Sequence, residues 1–342
     1  MYMITFMPMT RVALACAFLA SSGFQLHADT SLTGSGSTFA APILQRWASD
    51  LQKSNPDVRV NYQSVGSGAG ITQFLQNITD FGASDVAMSD ADIAKAGGNV
   101  LLLPVTAGTI VLAYNVPGIE DSLKLSRDAY VGIMLGTITS WNDPLIAKNN
   151  PGLKLPNIPI TFVARSDGSG TTGVFTAHLA AVSSDFASKV GSGKSVTWPV
   201  GIAGKGNEGV TASIKQNPGS IGYVEFGYAV NNKLTMASLQ NKAGNFITPT
   251  IESGASTLAS VILPENLRAF ITDPTGANDY PIASFSWLLV KKNYPDASKA
   301  AAVKAFVEYG LTTGQSIAPT LGYITLPDSV VKKAQAALET LK

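Results

Sequence analysis

Cysteine and histidine are nearly missing from this sequence. Among its 342 residues there is one cysteine, Cys16, and there are two histidines, His27 and His178. Cys16 and His27 lie in an N-terminal stretch that we expect to be removed, so the remaining chain has no cysteine and one histidine. This scarcity excludes disulfide bonds and gives no basis for a Cys/His metal site.

The shortage of histidine also weighs against nucleophilic catalysis. A Ser–His–acid arrangement requires an imidazole within hydrogen-bond reach of the serine hydroxyl. His178 lies two turns into the predicted helix that follows Ser169, too far along the chain for that contact. We therefore interpret His178 as a residue on the flank of a helix and predict no catalytic residues.

Charge is also scarce and evenly balanced. Charged residues make up 14% of the sequence and hydrophobic residues 45%, a composition that excludes an extended disordered chain. Without Arg11, the single charged residue of the N-terminal stretch, 23 basic residues face 23 acidic ones. A protein without a basic excess is not expected to bind nucleic acid or an anionic membrane.

The first 28 residues are typical of a secretory signal peptide. Arg11 precedes the apolar run VALACAFLASSGF, and QLHA follows it, so we expect cleavage after Ala28. A membrane anchor is the alternative, but a run of about 13 residues is shorter than the ~20 that a membrane span needs. A lipoprotein site at Cys16 is the other alternative, and apolar sequence continuing behind Cys16 argues against it.

The length and the pattern of the remaining chain predict two α/β domains. Predicted strands alternate with helical stripes such as Phe39, Ile43, Leu44, Trp47 and Leu51, which share one face of a helix over residues 38–53. Such alternation favours largely parallel sheets. A second stripe consists of Ile71, Phe74, Leu75 and Ile78. Near the C-terminus, DASKAAAVKAFVEYGL and PDSVVKKAQAALETLK predict two more helices, each capped by its aspartate. The strand candidates are VRVNYQ, TIVLAYNV, ITFVA, IGYVEF and SFSWLLV. No linker divides the chain, so we expect the domains to be joined by crossings near Gly108 and Ser286.

Four Gly-Ser-Gly turns form the most conspicuous repeated feature. They lie in TGSGSTFAAP, VGSGAGITQF, ARSDGSGTTGVF and VGSGKSVTWP. The first three precede a helical stripe, where free N–H groups and hydroxyls can bind an anion. Each turn taken alone is better explained by ordinary capping residues, and only the three turns together favour an anion site. The fourth is interpreted as a surface turn, because Ser188 stands where a P-loop requires glycine.

Charged residues near the turns narrow the choice of ligand. Arg165 precedes the third turn with a guanidinium suited to a tetrahedral oxyanion, and Asp167 is close enough to hold it. Asp85 closes the segment DFGASD. A carboxylate repels an anion unless that anion carries a proton, and phosphate keeps one near neutral pH whereas sulfate does not. The alternative for Asp85 is a cap for the helix in SDADIAKAG.

From about residue 31 to residue 337, the sequence resembles the periplasmic phosphate-binding proteins of ABC phosphate importers. The segments that carry the resemblance, in the order typical of that family, are LTGSGSTFAAPILQRW, VNYQSVGSGAGITQF, DFGASDVAMSD, SWNDPLIAKNNPGLKLP, RSDGSGTTGVFT, GKGNEGV, PGSIGYVEF and LPDSVV. The resemblance implies a type II periplasmic binding protein fold, in which two α/β lobes close over one phosphate. Lobe I is then residues 29–108 and 285–342, and lobe II is residues 109–284.

The resemblance also implies the ligand set. The matching phosphate-binding positions are Thr38, Phe39, Ser67, Asp85, Arg165, Ser169, Gly170 and Thr171. Asp85 matches the acceptor of the phosphate proton, and Asp167 the residue that steadies the arginine. Ser37 departs from the small apolar residue usual at its position, and residues 243–277 are less familiar.

The expected protein is a monomeric periplasmic receptor with no cofactor and no metal, which passes inorganic phosphate to an inner-membrane ABC permease and its ATPase subunits. Two alternatives stay open at this point. A secreted phosphatase requires an activated nucleophile or a metal. An adhesion component requires repeats or a surface anchor.

Overall fold

The structure is a computed structural model that describes Tyr2, residues 30–120 and residues 123–342. Apart from Tyr2, the predicted signal peptide of residues 1–28 lies outside the described residues. The strands are β1 Thr30–Gly36, β2 Val58–Ser64, β3 Phe81–Ser84, β4 Leu101–Asn115, β5 Lys124–Leu125, β6 Thr161–Arg165, β7 Ile202–Gly204, β8 Ser220–Glu225, β9 Thr235–Met236, β10 Ser238–Gln240, β11 Phe246–Ile247 and β12 Ala283–Val290.

Helices follow most of these strands. They are α1 Ala41–Ser54, α2 Ser67–Leu75, α3 Asp90–Lys95, α4 Arg127–Leu135, α5 Pro144–Ala147, α6 Gly170–Val182, α7 Ser184–Lys189, α8 Gly206–Gln216, α9 Phe226–Asn231, α10 Ile251–Ala259, α11 Ala297–Leu311, α12 Thr313–Ile317 and α13 Asp328–Leu338, with a 3-10 helix at Ala318–Leu321. Within the described residues, no helix combines the length and the hydrophobicity needed to span a bilayer.

The main sheet runs through both parts of the fold and has the strand order β2-β1-β3-β12-β4-β8-β6-β7. The outer sets, β2-β1-β3 and β8-β6-β7, are parallel, as strand–helix alternation predicts. The central strands β12 and β4 are antiparallel to each other and to their neighbours β3 and β8. The fold is therefore α/β, with two parallel sets joined through an antiparallel centre.

Strand β4 connects the two parallel sets because it changes partner along its length. As far as Thr109 it pairs with β12, and from Ile110 onward it pairs with β8. The chain returns beside this point, where the Ile110 N–H donates to the carbonyl of Ile282 at 2.9 Å. The fifteen residues of β4 are almost all buried, as expected for a strand with covered faces on both sides of the change.

Helix boundaries differ from the sequence prediction at three places. Helix α1 begins at Ala41 with Pro42 in its first turn, so Thr38 lies in the turn before the helix. Ile78 lies beyond the end of α2 and is 61% exposed, although it matched the helical stripe. Asp328 is the first residue of α13 and does not cap it, since Pro327 occupies the cap position. Asp296, by contrast, caps α11 as predicted.

The less familiar segment, residues 243–277, is anchored by polar contacts. The Arg127 guanidinium donates to both carboxylate oxygens of Asp273, at 2.7 and 2.8 Å. The buried amide of Asn241 donates to three backbone carbonyls around residues 276–279. Arg268 donates to the carbonyl of Met88, in the connection after β3, at 3.2 Å. The segment therefore contacts both helix α4 and the connection that follows β3.

Candidate functional site

The predicted turns meet because they follow the carboxyl ends of parallel strands. Gly36 at the end of β1 is level with Ser64 of β2 and Ala83 of β3, so the turns after these three strands share one edge. The third turn follows β6 in the other parallel set. Its carbonyl at Gly168 accepts a hydrogen bond from the Gly68 N–H at 2.8 Å. The second and third turns thus contact each other directly.

Asp85 lies at the centre of this contact and is 1% exposed. Its Oδ1 accepts from the hydroxyls of Ser37 at 2.5 Å and Ser286 at 2.6 Å. Its Oδ2 accepts from the Ser67 hydroxyl at 3.3 Å. A carboxylate oxygen offers two lone-pair positions, so Oδ1 is saturated and Oδ2 retains one. The carboxylate can accept one further proton-bearing group, on the Oδ2 side.

Burial raises the pKa of Asp85, and the hydrogen bonds from Ser286 and Ser37 together with the charge of Arg165 oppose this rise without cancelling it. The carboxylate therefore has a higher proton affinity than an exposed aspartate. A group of this kind is a good acceptor for a proton that a bound anion carries.

Gly170, the first residue of α6, approaches Asp85 most closely. A Cβ atom at this position would lie 2.4 Å from the Ser67 Oγ and 2.6 Å from the Asp85 Oδ2. Only glycine allows this close approach, because real Cβ contacts are longer than 3.0 Å. Ser169, which precedes it, caps α6 by accepting from the Thr172 N–H at 3.0 Å.

Arg165 is held by Asp167 in a two-pronged ion pair. The Nε donates to Oδ1 at 2.8 Å and the Nη2 to Oδ2 at 2.5 Å, while Nη1 reaches the Thr171 hydroxyl at 3.3 Å. Burial on its own would raise the pKa of Asp167, but the hydrogen bonds and charge of Arg165 outweigh it and hold that pKa below its usual value. The pair stays ionised, and the guanidinium is fixed beside Thr171.

Several backbone N–H groups at these turns have no hydrogen-bond partner within the described part of the chain. Among them are those of Thr38 and Phe39 after β1, of Ser67 at the start of α2, and of Gly170 and Thr171 at the start of α6. The Phe39 side chain is buried, so this residue can contribute to the site only through its backbone. Unpaired N–H groups at a helix start bind anions. Together with the guanidinium of Arg165, they make the site rich in donors.

The structure thus brings the nine residues predicted from the sequence into one cluster, and it adds three that the sequence analysis did not identify. Ser37, noted only as a departure, and Ser286 both donate to Asp85. Asn207 donates to the hydroxyls of Thr38 and Thr171. The serines of SFSWLLV were a possible signal, because polar residues in an otherwise apolar strand are unusual. Directly after Ser286, the pairing of β12 with β4 shifts register between Ser286 and Trp287.

Two alternatives from the sequence analysis are now decided. Asp85 does not cap the helix that follows it, because Ser89 caps α3 by accepting from the Asp92 N–H at 3.1 Å. The fourth Gly-Ser-Gly turn opens no helix, as predicted, since the next element after it is β7. Its Lys194 carbonyl instead accepts from the Ser169 N–H at 2.8 Å, so it supports the third turn.

His178 is fully buried in α6, which corrects its interpretation as a flank residue. Its Nε2 lies 3.0 Å from the Tyr130 hydroxyl. Burial lowers its pKa to about 4; the charge of Asp273 opposes this shift slightly, and the charge of Arg127 adds to it. Among the residues that the structure describes, no three His, Cys, Asp or Glu side chains are placed to hold a metal ion. Tyr130, its hydrogen-bond partner, is not one of the anion-site residues.

This buried histidine should make stability depend on pH. The unfolded chain takes up a proton near pH 6.5 and the folded chain only near pH 4, so stability present above pH 6.5 is lost as the pH falls. We expect the parent to lose about 2 kcal/mol from this group between pH 7.5 and pH 5. Urea unfolding at both pH values measures the loss, and His178→Gln should reduce it. An equal loss in the variant would contradict the assignment.

Comparison with known proteins identifies a family profile and several relatives that cover most of the chain. A profile described as the PBP superfamily domain matches residues 25–313. The phosphate-binding protein PstS of Pasteurella multocida is 40% identical over 335 residues, covering 97% of this chain and 96% of that protein. The PstS of Methanocaldococcus jannaschii is 40% identical over 334 residues, covering 90% and 85%.

Solved structures resemble the fold. A high-affinity periplasmic phosphate-binding protein solved with bound phosphate at pH 8.5 superposes with a TM-score of 0.74 at 20% identity, covering 90% of this chain and 93% of the other. A phosphate-binding protein from Stenotrophomonas maltophilia superposes with a TM-score of 0.71 at 19% identity, covering 90% and 93%. At such identities the likeness concerns the fold alone, and it confirms the predicted two-lobed α/β fold.

Proposed function

The chain belongs to the PBP superfamily and is about 40% identical to its phosphate-binding members, and on this premise we propose that it binds inorganic phosphate in the periplasm and delivers it to an inner-membrane ABC permease. The observation that carries the proposal is Asp85, a buried carboxylate with one acceptor position left, surrounded by donors. Such a site fits a tetrahedral anion that carries a proton.

We propose a ligand set in which each residue has a distinct contribution. Arg165, held by Asp167, supplies the positive charge, and the N–H groups of the first and third turns supply neutral donors. The hydroxyls of Thr38, Ser169 and Thr171 add further donors. Ser67 contributes its backbone N–H, because its hydroxyl donates to the Asp85 Oδ2, and Asp85 accepts the proton of the ligand. The complete set is Thr38, Phe39, Ser67, Asp85, Arg165, Ser169, Gly170 and Thr171.

Selectivity follows from the single acceptor among these groups. Near neutral pH phosphate carries a proton that can lie between its own oxygen and the Asp85 Oδ2. Sulfate has no such proton and would place a charged oxygen against a buried carboxylate. An uncompensated buried charge of this kind costs about 3–5 kcal/mol. We therefore infer that Asp85 discriminates between the two anions.

We also propose that the site lies between two lobes, residues 29–108 with 285–342 and residues 109–284. The exchange of partners in β4 between Thr109 and Ile110 supports the first boundary, and the start of β12 at Ala283 lies close to the second. Thr38, Ser67 and Asp85 then belong to lobe I, and Arg165 and the start of α6 to lobe II. Closure brings the two groups together and changes the surface shown to the permease.

The phosphatase alternative has less support. Hydrolysis of a phosphate ester needs an activated nucleophile or a metal. The Ser169 hydroxyl already accepts from the Thr172 N–H, and the buried His178 hydrogen-bonds with Tyr130 instead of with a serine of the site. We propose a non-enzymatic, monomeric receptor, exported by its N-terminal segment, whose partners are the permease and its ATPase subunits.

Titration calorimetry on mature protein stripped of phosphate tests this function. We expect phosphate to bind with one site per chain and sulfate to bind at least about a hundredfold more weakly, because of the repulsion at Asp85. The comparison should be made at constant ionic strength with chloride as the control anion. Equal affinities for phosphate and sulfate would refute the proposal.

A further inference from the structure

We propose that Asn207 is a positioning residue that directs the hydroxyl protons of Thr38 and Thr171 toward the bound anion. The inference rests on the phosphate-binding function proposed above and extends it to a residue outside the predicted ligand set. Asn207 is the second residue of α8, in the segment GKGNEGV, and it is completely buried. Its side-chain amide is hydrogen-bonded at both ends, so its orientation constrains the groups around it.

The amide of Asn207 bridges two elements of the site. Its Nδ2 donates to the Thr38 Oγ1 at 2.8 Å and lies 3.3 Å from the Thr171 Oγ1. Its backbone N–H also donates to the Thr38 Oγ1, at 3.1 Å. Thr38 follows β1 and Thr171 opens α6, so one side chain contacts both sides of the cluster.

The orientation of this amide is determined by its other end. The Asn207 Oδ1 accepts from the Glu225 N–H at 2.9 Å, and a backbone N–H can only donate. Exchange of the oxygen and nitrogen would therefore place two donors against each other. Glu225 is itself fixed as the last residue of β8, paired with Ile110 where β4 changes partner. The Nδ2 must face the two threonines.

Hydrogen-bond counting then fixes the direction of both hydroxyls. A threonine hydroxyl has two acceptor positions and one proton. The Thr38 Oγ1 accepts twice from Asn207, and the Thr171 Oγ1 accepts from Asn207 and from the Arg165 Nη1 at 3.3 Å. Both acceptor positions of each hydroxyl are occupied. Each hydroxyl can therefore only donate its proton, and the bound anion is the group that accepts it.

This arrangement complements that at Asp85. The hydroxyls of Ser37, Ser67 and Ser286 are directed toward a carboxylate, whereas those of Thr38 and Thr171 are directed away from an amide. Preset donors spare the site the cost of reorienting hydroxyls when the ligand binds. Asn207 thereby makes Thr38 and Thr171 donors to the anion and leaves Asp85 as the one acceptor of the site.

The test compares Asn207→Ala with Asn207→Asp by phosphate calorimetry. The alanine variant returns one acceptor position to each threonine, and we expect phosphate affinity to fall about tenfold. The aspartate variant has nearly the shape of asparagine but accepts the hydroxyl protons, so we expect at least a further tenfold loss. If Asn207 only fills space, the aspartate variant should bind better than the alanine variant, and that order would overturn the proposal.

A double-mutant cycle separates hydroxyl orientation from the charge of the new aspartate. With Thr38→Val and Thr171→Val present, Asn207→Ala should have less than a twofold further effect on phosphate affinity. An undiminished tenfold effect in that background would overturn the proposal, even if Asn207→Asp does not fold. Asn241→Ala serves as the control, because Asn241 is equally buried and its side chain hydrogen-bonds with carbonyls of residues 276–279 and with the Asn245 N–H, none of which belongs to the site.

The control should melt at a lower temperature but keep the affinity of the parent, which distinguishes loss of stability from loss of donor direction. If the parent itself does not bind phosphate, the function proposed above fails together with this inference. If the parent binds and the Asn207 variants bind as tightly, only the inference about Asn207 fails.

Discussion

Gly170→Ala should reduce phosphate affinity about a thousandfold while leaving the fold intact. The added methyl group would lie 2.4 Å from the Ser67 Oγ, 2.6 Å from the Asp85 Oδ2 and 2.9 Å from the Asp85 Cβ. The Ser67 hydroxyl can rotate away, but the Asp85 Cβ can move only with its backbone. The start of α6 would therefore be held away from Asp85. The N–H groups of Gly170 and Thr171 would then be too far from the anion to donate to it.

The fold should tolerate this change because Gly170 has ordinary helical geometry and alanine favours helix. The thousandfold loss corresponds to about 4 kcal/mol. Calorimetry measures the affinity, and small-angle scattering with and without phosphate shows whether the lobes still close. Gly209→Ala is the matched control, since its new methyl group would meet its nearest neighbour at an ordinary 3.4 Å. Binding by Gly170→Ala within tenfold of the parent would rule out this close contact.

Asp85→Asn should remove most of the discrimination between phosphate and sulfate. An asparagine oxygen can still accept from Ser37 and Ser286, but an amide nitrogen would replace the Oδ2 that faces the ligand. This nitrogen donates to any anion and cannot accept the proton of phosphate. We expect phosphate to bind about a hundredfold more weakly and sulfate to bind more tightly, so that the two affinities come within tenfold.

The same substitution should not destabilise the protein at neutral pH. The folded-state pKa of Asp85 is raised, so ionisation of this group costs stability as the pH rises above its unfolded pKa. Asp85→Asn removes that cost, and its melting temperature in the absence of phosphate should equal or exceed that of the parent. Asp279→Asn is the control and should leave the selectivity for phosphate over sulfate unchanged. Asp279 is also a buried carboxylate, but it accepts from Ser256 and from the Gly276 N–H, away from the site. A variant of Asp85 that still excludes sulfate would assign selectivity to other groups.

Both predictions depend on how closely the turns approach each other, a distance that the sequence does not contain. The sequence nevertheless indicates the separate components of the site. Glycine after a strand and before a helix predicts a turn with free N–H groups, and the first three turns have these properties. The pairing of Arg165 with Asp167 was also foreseeable, because the two residues are neighbours in the chain.

Contacts between distant parts of the chain could not be predicted from the sequence. Ser286 is 201 residues away from Asp85, and Asn207 is 169 residues away from Thr38. No local pattern links such pairs, because their contacts result from the order of the strands in the sheet. The helical stripe through Ile78 misled for the opposite reason. Its spacing matched α2, but the helix ends at Leu75 and Ile78 is 61% exposed.

The sequence by itself determined the chemistry that is available to this protein. It contains almost no histidine or cysteine for catalysis or metal binding, it has glycine turns that expose N–H groups, and it has one arginine and one aspartate suited to a protonated anion. These properties follow from residue types and short spacings. The tertiary structure alone decided how many acceptor positions Asp85 keeps, which atoms Gly170 must clear, and which way the hydroxyls of Thr38 and Thr171 point. Those outcomes depend on which strand ends the fold brings together, and the paired strands come from distant parts of the sequence.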